Sequence, residues 1–277
     1  MLRCIVLALL LPLAGAALAL GQKPFIAFER TTAGEAGAAD AVELLAKGRA
    51  APIFVDANDH PGVLRAAGDL QADFGRVGGV RPVLHQLRDA QAPIGVDVVI
   101  VGTVGKSALI DGLAKSGMLD VAPLRGKWEG YMVRTVRNPM PGVQRALVIA
   151  GSDKRGTIYG IYEVSEQIGV SPWYWWADVP PVKRKALYAQ AGTAIDDAPV
   201  VQYRGIFLND EAPALTGWAK ERYGGYNSRF YKNVFELILR LRGNYLWPAM
   251  WDAAFFDDDP ENGRLADEYG IVMGTSH

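Results

Sequence analysis

Short apolar runs rich in β-branched residues alternate along this chain with longer segments whose apolar side chains recur every three or four positions. The first pattern has the period of a strand, the second that of a helix. "PFIAFE" (24–29) reads as a strand, and Ala/Gly-rich sequence then leads to a helix around 39–46. "PIFVD" (52–56) reads as a buried strand. Asp59 is placed to cap the next helix, with Pro61 in its first turn, where a missing N–H costs nothing. Leu64, Ala67, Leu70 and Phe74 keep helical spacing until Gly78-Gly79. "DVVIVG" (97–102) predicts a central strand, followed by a helix near 107–115. "GYMVRTVR" and "RALVIAGSD" flank "NPMPG", which predicts a hairpin. Asp153 caps a helix carrying Ile158, Ile161, Tyr162, Ser165 and Ile168, ended by Gly169. Strands alternating with helices predict an α/β layer.

"SPWYWWADVPPVKRK" (171–185) follows, with three Trp and one Tyr in four residues. Large aromatics bury so much area that a packing plug is the simpler reading, against a sugar-stacking surface. The Pro/Lys/Arg-rich stretch running on to Pro199 reads as a linker. Beyond it the order is β-α-β-α-β. "YRGIFLNDE" (203–211) is a strand ending in polar residues, and "TGWAKERYGGYNS" (216–228) a loop. Asn227 caps a helix with a Phe230, Val234, Leu237, Ile238, Leu241 stripe, ended by Gly243. "NYLWPAMW" (244–251) is a strand stopped by Pro248. Asp259 caps a short helix that begins with Pro260 and ends at Gly270, and "IVMGTSH" (271–277) is the last strand.

Composition narrows the class. Of 277 residues half are apolar, and the net charge of −1 points to neither a nucleic acid nor an anionic membrane as partner. Arg3, the apolar stretch 5–20 and Ala17-Leu18-Ala19 form an export signal (1–20), so a secreted or periplasmic location is expected. Its removal takes away Cys4, the sole cysteine, which leaves stability to core burial.

Candidate chemistry is concentrated in the second part. "VVIVGTVGKSALI" imitates a phosphate-binding loop, but Ile100 stands where that motif needs its first glycine. In parallel α/β units ligands meet the carboxyl ends of strands. Those ends carry Asn209-Asp210-Glu211, then Trp247 and Trp251, then Thr275-Ser276-His277. Carboxylates and amides hydrogen-bond sugar hydroxyls, and indole faces cover apolar sugar faces. Taken singly, Asp210 reads equally as a loop cap and the Trps as core. Asp257-Asp258-Asp259 lacks the spacing of a calcium loop and reads as helix capping. His60, His85 and His277 have no metal-ligand spacing, and no nucleophile elbow occurs. No metal or cofactor is expected.

"YRGIFLNDE", "FYKNVFELILRLRGNYLWPAMW" and "DDPENGRLADEYGIVMGTSH" resemble glycoside hydrolase family 115, the xylan α-1,2-glucuronidases. Residues 151–181 are similar to that family's N-terminal domain. The resemblance implies an N-terminal α/β domain with linker (21–199), then the start of a (β/α)₈ barrel (200–277), with further domains in the family beyond it. It implies that Asn209, Asp210, Trp247, Trp251 and His277 line the glucuronyl pocket, with Glu211 beside them. It also implies inverting hydrolysis of glucuronoxylan or its oligosaccharides and a homodimer for the full-length enzyme. A barrel takes about 250 residues, so the three strands here are expected to be incomplete and the chain inactive, with catalytic carboxylates on later strands. The alternatives are another exo-glycosidase with a similar N-terminal domain, such as a hexosaminidase, and a non-catalytic secreted carbohydrate-binding protein.

Overall fold

A computed structural model describes residues 23–30, 40–88 and 93–274, so the expected export signal (1–20) and His277 lie outside the described residues. In chain order, β1 (Ile26–Ala27), β2 (Val42–Ala46) and β3 (Arg49–Ala50) come first. The stretch expected to be a helix around 39–46 is therefore strand β2. Lys47 and Gly48, both at positive φ, join β2 to β3 as a two-residue hairpin, which a helix would not allow. β4 (Ile53–Asp56), α1 (Pro61–Gly78), β5 (Leu84–Leu87), β6 (Gly95–Thr103) and α2 (Ala108–Lys115) follow. Next are β7 (Tyr131–Met140), β8 (Val143–Gly151), α3 (Lys154–Gln167), β9 (Leu187–Ala189) and β10 (Ala194–Asp197).

Six of these strands form one sheet in the order β10-β7-β8-β6-β4-β5, with β8, β6, β4 and β5 mutually parallel. Its inner strands are apolar on both faces because both are covered. Ile53, Val55, Val99, Val101, Leu147 and Ile149 face the core shared with α1 and α3. Their neighbours Phe54, Val98, Ile100 and Val148 face Ile110 and Leu113 of α2. A second sheet runs β1-β9-β2-β3. The expected linker is thus woven into both sheets: β9 pairs with β1 and β2, and β10 pairs with β7. Leu187, Tyr188, Ala189, Thr193 and Ile195 are its buried positions.

Asp59 does not cap α1. That place falls to His60, without a side-chain bond. Asp59 instead accepts from the backbone N–H groups of His60 (2.7 Å) and Thr103 (2.8 Å), and Asp56 accepts from Ala108 N (2.7 Å). Asp111 takes Gly105 N (2.8 Å). Three carboxylates therefore occupy donors of the phosphate-loop imitation, which gives that loop the wrong charge for a phosphate.

The chain continues through β11 (Gly205–Phe207), α4 (Ala214–Tyr223), α5 (Ser228–Arg240), β12 (Tyr245–Trp247), α6 (Phe255–Asp258), α7 (Glu261–Tyr269) and β13 (Val272–Met273). The segment expected to be a loop is largely α4: Leu215, Trp218, Ala219 and Tyr223 form a short helical stripe, ended by Gly224 in the left-handed conformation. Strands β11, β12 and β13 are parallel and adjacent in chain order, with helices between them. Helices α5 and α7 cover one face of this sheet and merge with the core of α1 and α3.

The aromatic run is mainly a plug. Trp176 donates to Asn233 O (3.2 Å) and packs on Phe230, while the Tyr174 hydroxyl donates to Glu236 (3.0 Å) on α5. Trp173 alone of that run is exposed. Buried ion pairs fasten the same seam. Arg240 bonds Asp73 (2.9 Å), Arg242 bonds Glu163 (2.6 Å) and Arg204 bonds Glu129 (2.5 Å).

Candidate functional site at the carboxyl ends of the parallel strands

Strand β11 hands on to Leu208, whose N–H continues the ladder to Trp247 O (2.9 Å). Two residues later Asp210 turns inward and is fully buried. Its Oδ2 accepts from two successive backbone N–H groups, Met250 (2.9 Å) and Trp251 (2.8 Å), in the loop after β12. Its main-chain oxygen accepts from the hydroxyls of Thr216, on α4, and Tyr226 (3.4 Å). The two hydroxyl oxygens lie 2.9 Å apart. Asp210 thus ties three segments together, as a loop cap would. Its other carboxylate oxygen, Oδ1, is buried and has no partner among the described residues. Such an atom calls for an explanation, since buried polar atoms are normally bonded. Burial pushes the Tyr226 hydroxyl above its ordinary pKa, so it keeps its proton beside Asp210.

Trp247 stands on the sheet face opposite Leu246, which is buried against the helices. It meets Phe207 edge-on at 5.4 Å. Its Nε1 is likewise buried without a partner among the described residues. Tyr245 lies on the same face, and its hydroxyl would sit 2.0 Å from any Cβ at residue 274, so a side chain there would displace the Tyr245 ring.

Of the expected site residues, the structure brings Asp210 and Trp251 together through the backbone and sets Trp247 on the uncovered face. Asn209 and Glu211 are exposed on either side of Asp210. His277 lies outside the described residues. Thr216, Tyr226 and Met250 were not legible as site residues, because their role is to hold Asp210 from segments far along the chain. Asp259 serves capping from one position further out than expected, with Pro260 as the cap residue of α7. Its carboxylate accepts from Ser228 N (2.8 Å) and Glu261 N (3.0 Å), and the Ser228 bond above all holds it below the usual carboxylate range. Among the described residues no group of three metal-ligating side chains forms.

Similarity to known proteins fits this geometry. The sequence model for glycosyl hydrolase family 115 matches residues 196–277. A solved structure, BtGH115A, is described as a 4-O-methyl-α-glucuronidase with specificity for decorated arabinogalactans. It is 34% identical at a TM-score of 0.73, over 85% of this chain and 30% of its own. This chain therefore spans about 30% of that enzyme's length. The Streptomyces plicatus N-acetyl-β-hexosaminidase is 13% identical at a TM-score of 0.49, over 85% of this chain and 42% of its own. The Flavobacterium johnsoniae chitobiase is 12% identical at 0.47, over 85% and 32%. Likeness that slight carries nothing about this chain. No curated protein matches. Residues 196–277 thus match glycosyl hydrolase family 115, and 85% of the chain is similar to a member of that family.

Proposed function

We propose that this chain is part of an exported glycoside hydrolase that removes glucuronic acid, or its 4-O-methyl ether, from a polysaccharide side chain by inverting hydrolysis. The observation that carries the reading is the 34% identity to a 4-O-methyl-α-glucuronidase across 85% of the chain. Three parallel strands in chain order with helical crossovers support a (β/α)₈ barrel whose first three strands are β11, β12 and β13. On this reading Asp210 Oδ1 accepts from a sugar hydroxyl and Trp247 Nε1 donates to a sugar oxygen. Asn209, Glu211, Trp251 and His277 complete the pocket. The leader pattern at 1–20 supports export.

Inversion needs a general acid and a general base with room for water between them. Neither role suits a described strand-end residue. Asp210 is locked by two backbone N–H groups, and Glu211 lies in solvent. We therefore expect no turnover from residues 1–277 alone. For the polymer, the sequence resemblance favours glucuronoxylan, whereas the neighbour's description names arabinogalactans. The test is uronic acid release from each polymer by a protein of the neighbour's extent. Release that falls about a hundredfold or more in Asp210→Ala supports the reading. Release of hexosamine instead, or of no sugar from either polymer, overturns it.

A further inference from the structure

Next to Asp210 lies a cleft of about 400 Å³ that contains no residue of β11 or β12. It opens between α4, the turn at Gly224-Gly225 and the loop after β12. Its size lies within the roughly 300–1,000 Å³ usual for small-ligand clefts. Thr216 and Lys220, one helical turn apart on α4, form one wall. Trp251 and Asp252 form the other, and Trp251 is 54% exposed. Asp252 sits at φ +49°, in the left-handed region that aspartate and asparagine enter more readily than other side-chain-bearing residues. At the floor Gly224 and Gly225 are at φ +85° and +139°, and a Cβ on either would meet nothing within 4 Å, so bare backbone borders open space.

The chemistry of this lining selects a ligand class. An indole presents a flat apolar surface, Lys220 donates, and the carboxylates accept. One cation stands against two anions, Asp252 and Asp258. Neither Lys220 nor Asp252 is in an ion pair among the described residues, so both remain available to a ligand. The excess of negative charge opposes a uronate. It suits hydroxyl groups, which donate to carboxylates while the C–H face of a pyranose lies on the indole. We infer that this cleft holds neutral pyranose units of the polymer backbone, beside the pocket for the charged side-chain sugar. Which polymer is meant rests on the glucuronidase reading; the preference for a neutral sugar rests on the cleft itself.

Titration calorimetry with xylotetraose, with a β-1,3-linked galactotetraose and with free glucuronic acid tests it. One tetrasaccharide binds, and its identity names the backbone. Lys220→Met and Asp252→Asn each weaken that binding about tenfold or more, and weaken glucuronic acid binding less. Both residues are exposed, and asparagine tolerates the left-handed backbone at 252, so both variants fold. The inference is overturned if neither tetrasaccharide binds, if binding survives both substitutions, or if glucuronic acid is the ligand they weaken most. If instead the glucuronidase reading is at fault, no uronic acid is released from either polymer while the tetrasaccharide titration still responds.

Discussion

The two ends of the β11-β12-β13 sheet are built on opposite terms. At the amino ends every principal polar group is satisfied. Asn244 accepts from Arg204 N (2.9 Å) and donates to Glu129 (2.8 Å) and to Gln202 O (2.7 Å). Arg204 and Arg155 both close on Glu129 at 2.5 Å, and the Tyr159 hydroxyl donates to Gly243 O (2.8 Å). Arg155 also holds Gly270 O (3.1 Å), just before β13. At the carboxyl ends Asp210 Oδ1 and Trp247 Nε1 are buried without partners among the described residues, and Asn209 and Glu211 lie in solvent. One end is finished as structure; the other keeps buried polar atoms without partners among the described residues. A closed, fully bonded network is where a fold draws rigidity, and open polar atoms in a shaped end are where it meets a ligand.

Breaking the closed end gives the largest effect. Glu129→Ala leaves Arg204, Arg155 and Asn244 facing an uncompensated hole, and removing one partner of a buried ion pair costs about 3–5 kcal/mol. Urea denaturation monitored by circular dichroism reads it. The same chemistry at the seam allows a check: Asp73→Ala is expected to cost a similar amount, whereas Asp73→Leu with Arg240→Met is expected to cost less, the remainder reflecting the bonds of Asp73 to Arg76 and of Arg240 to Glu236. If Glu129→Ala cost less than a change at the open end, the comparison would be wrong.

The open end is the second test. Asp210→Ala frees two backbone N–H groups and is expected to cost about 1–3 kcal/mol in stability. Uronic acid binding should nevertheless disappear, because Oδ1 goes with the side chain. Loss of stability alone, with sugar binding intact in the folded fraction, would reduce Asp210 to a loop cap.

Much of this architecture was legible locally. Asp153 and Asn227 accept the capping bonds expected of them, and Gly79, Gly169 and Gly270 stop helices at positive φ. Three features were not, each because the deciding partner is distant. Strand β2 is a strand because β9 pairs with it from over 140 positions along the chain, and β10 exists because β7 offers it an edge. Helix α4 was obscured by Gly217 and by the Gly224-Gly225 pair after it, its stripe being completed by Trp175, Trp176 and Phe230. At the site, residue type at a strand end was readable. That one oxygen of Asp210 is spent on a loop 40 positions away while the other is left over was not. Nor does local sequence announce the left-handed backbone of Asp252.

Alkali probes the closed side more gently. Burial pushes the Tyr269 hydroxyl, on the helix leading into β13, up to about 12 from an ordinary 10, against the pull of Arg65 over its ring. Burial also raises Tyr159. Above about pH 10 the unfolded chain releases these protons and the folded one keeps them, so stability is whole below that pH and falls as pH rises toward 12. Each such group removes about 1.4 kcal/mol per pH unit in that window. Urea midpoints at pH 9 and pH 11 should show the drop, and Tyr269→Phe should flatten it. An unchanged slope in that variant would mean that other tyrosines carry the alkaline loss.

The smallest structural effect is also the cleanest separation of the two ends. Asp210 holds residue 251 by its backbone N–H (2.8 Å), a bond that any residue at that position retains. The indole itself is 54% exposed on the wall of the cleft. Trp251→Ala is therefore expected to move stability by no more than about 0.5 kcal/mol, as a surface change does. Stacking on an aromatic face is worth roughly 0.5–1.5 kcal/mol beyond the area it buries, so tetrasaccharide affinity should drop about tenfold. Denaturation and calorimetry on the same sample decide the matter. A large loss of stability would make Trp251 part of the closed structure after all. Intact stability with weakened binding would place the division between the two ends at the backbone of residue 251, whose amide belongs to the fold and whose side chain belongs to the ligand.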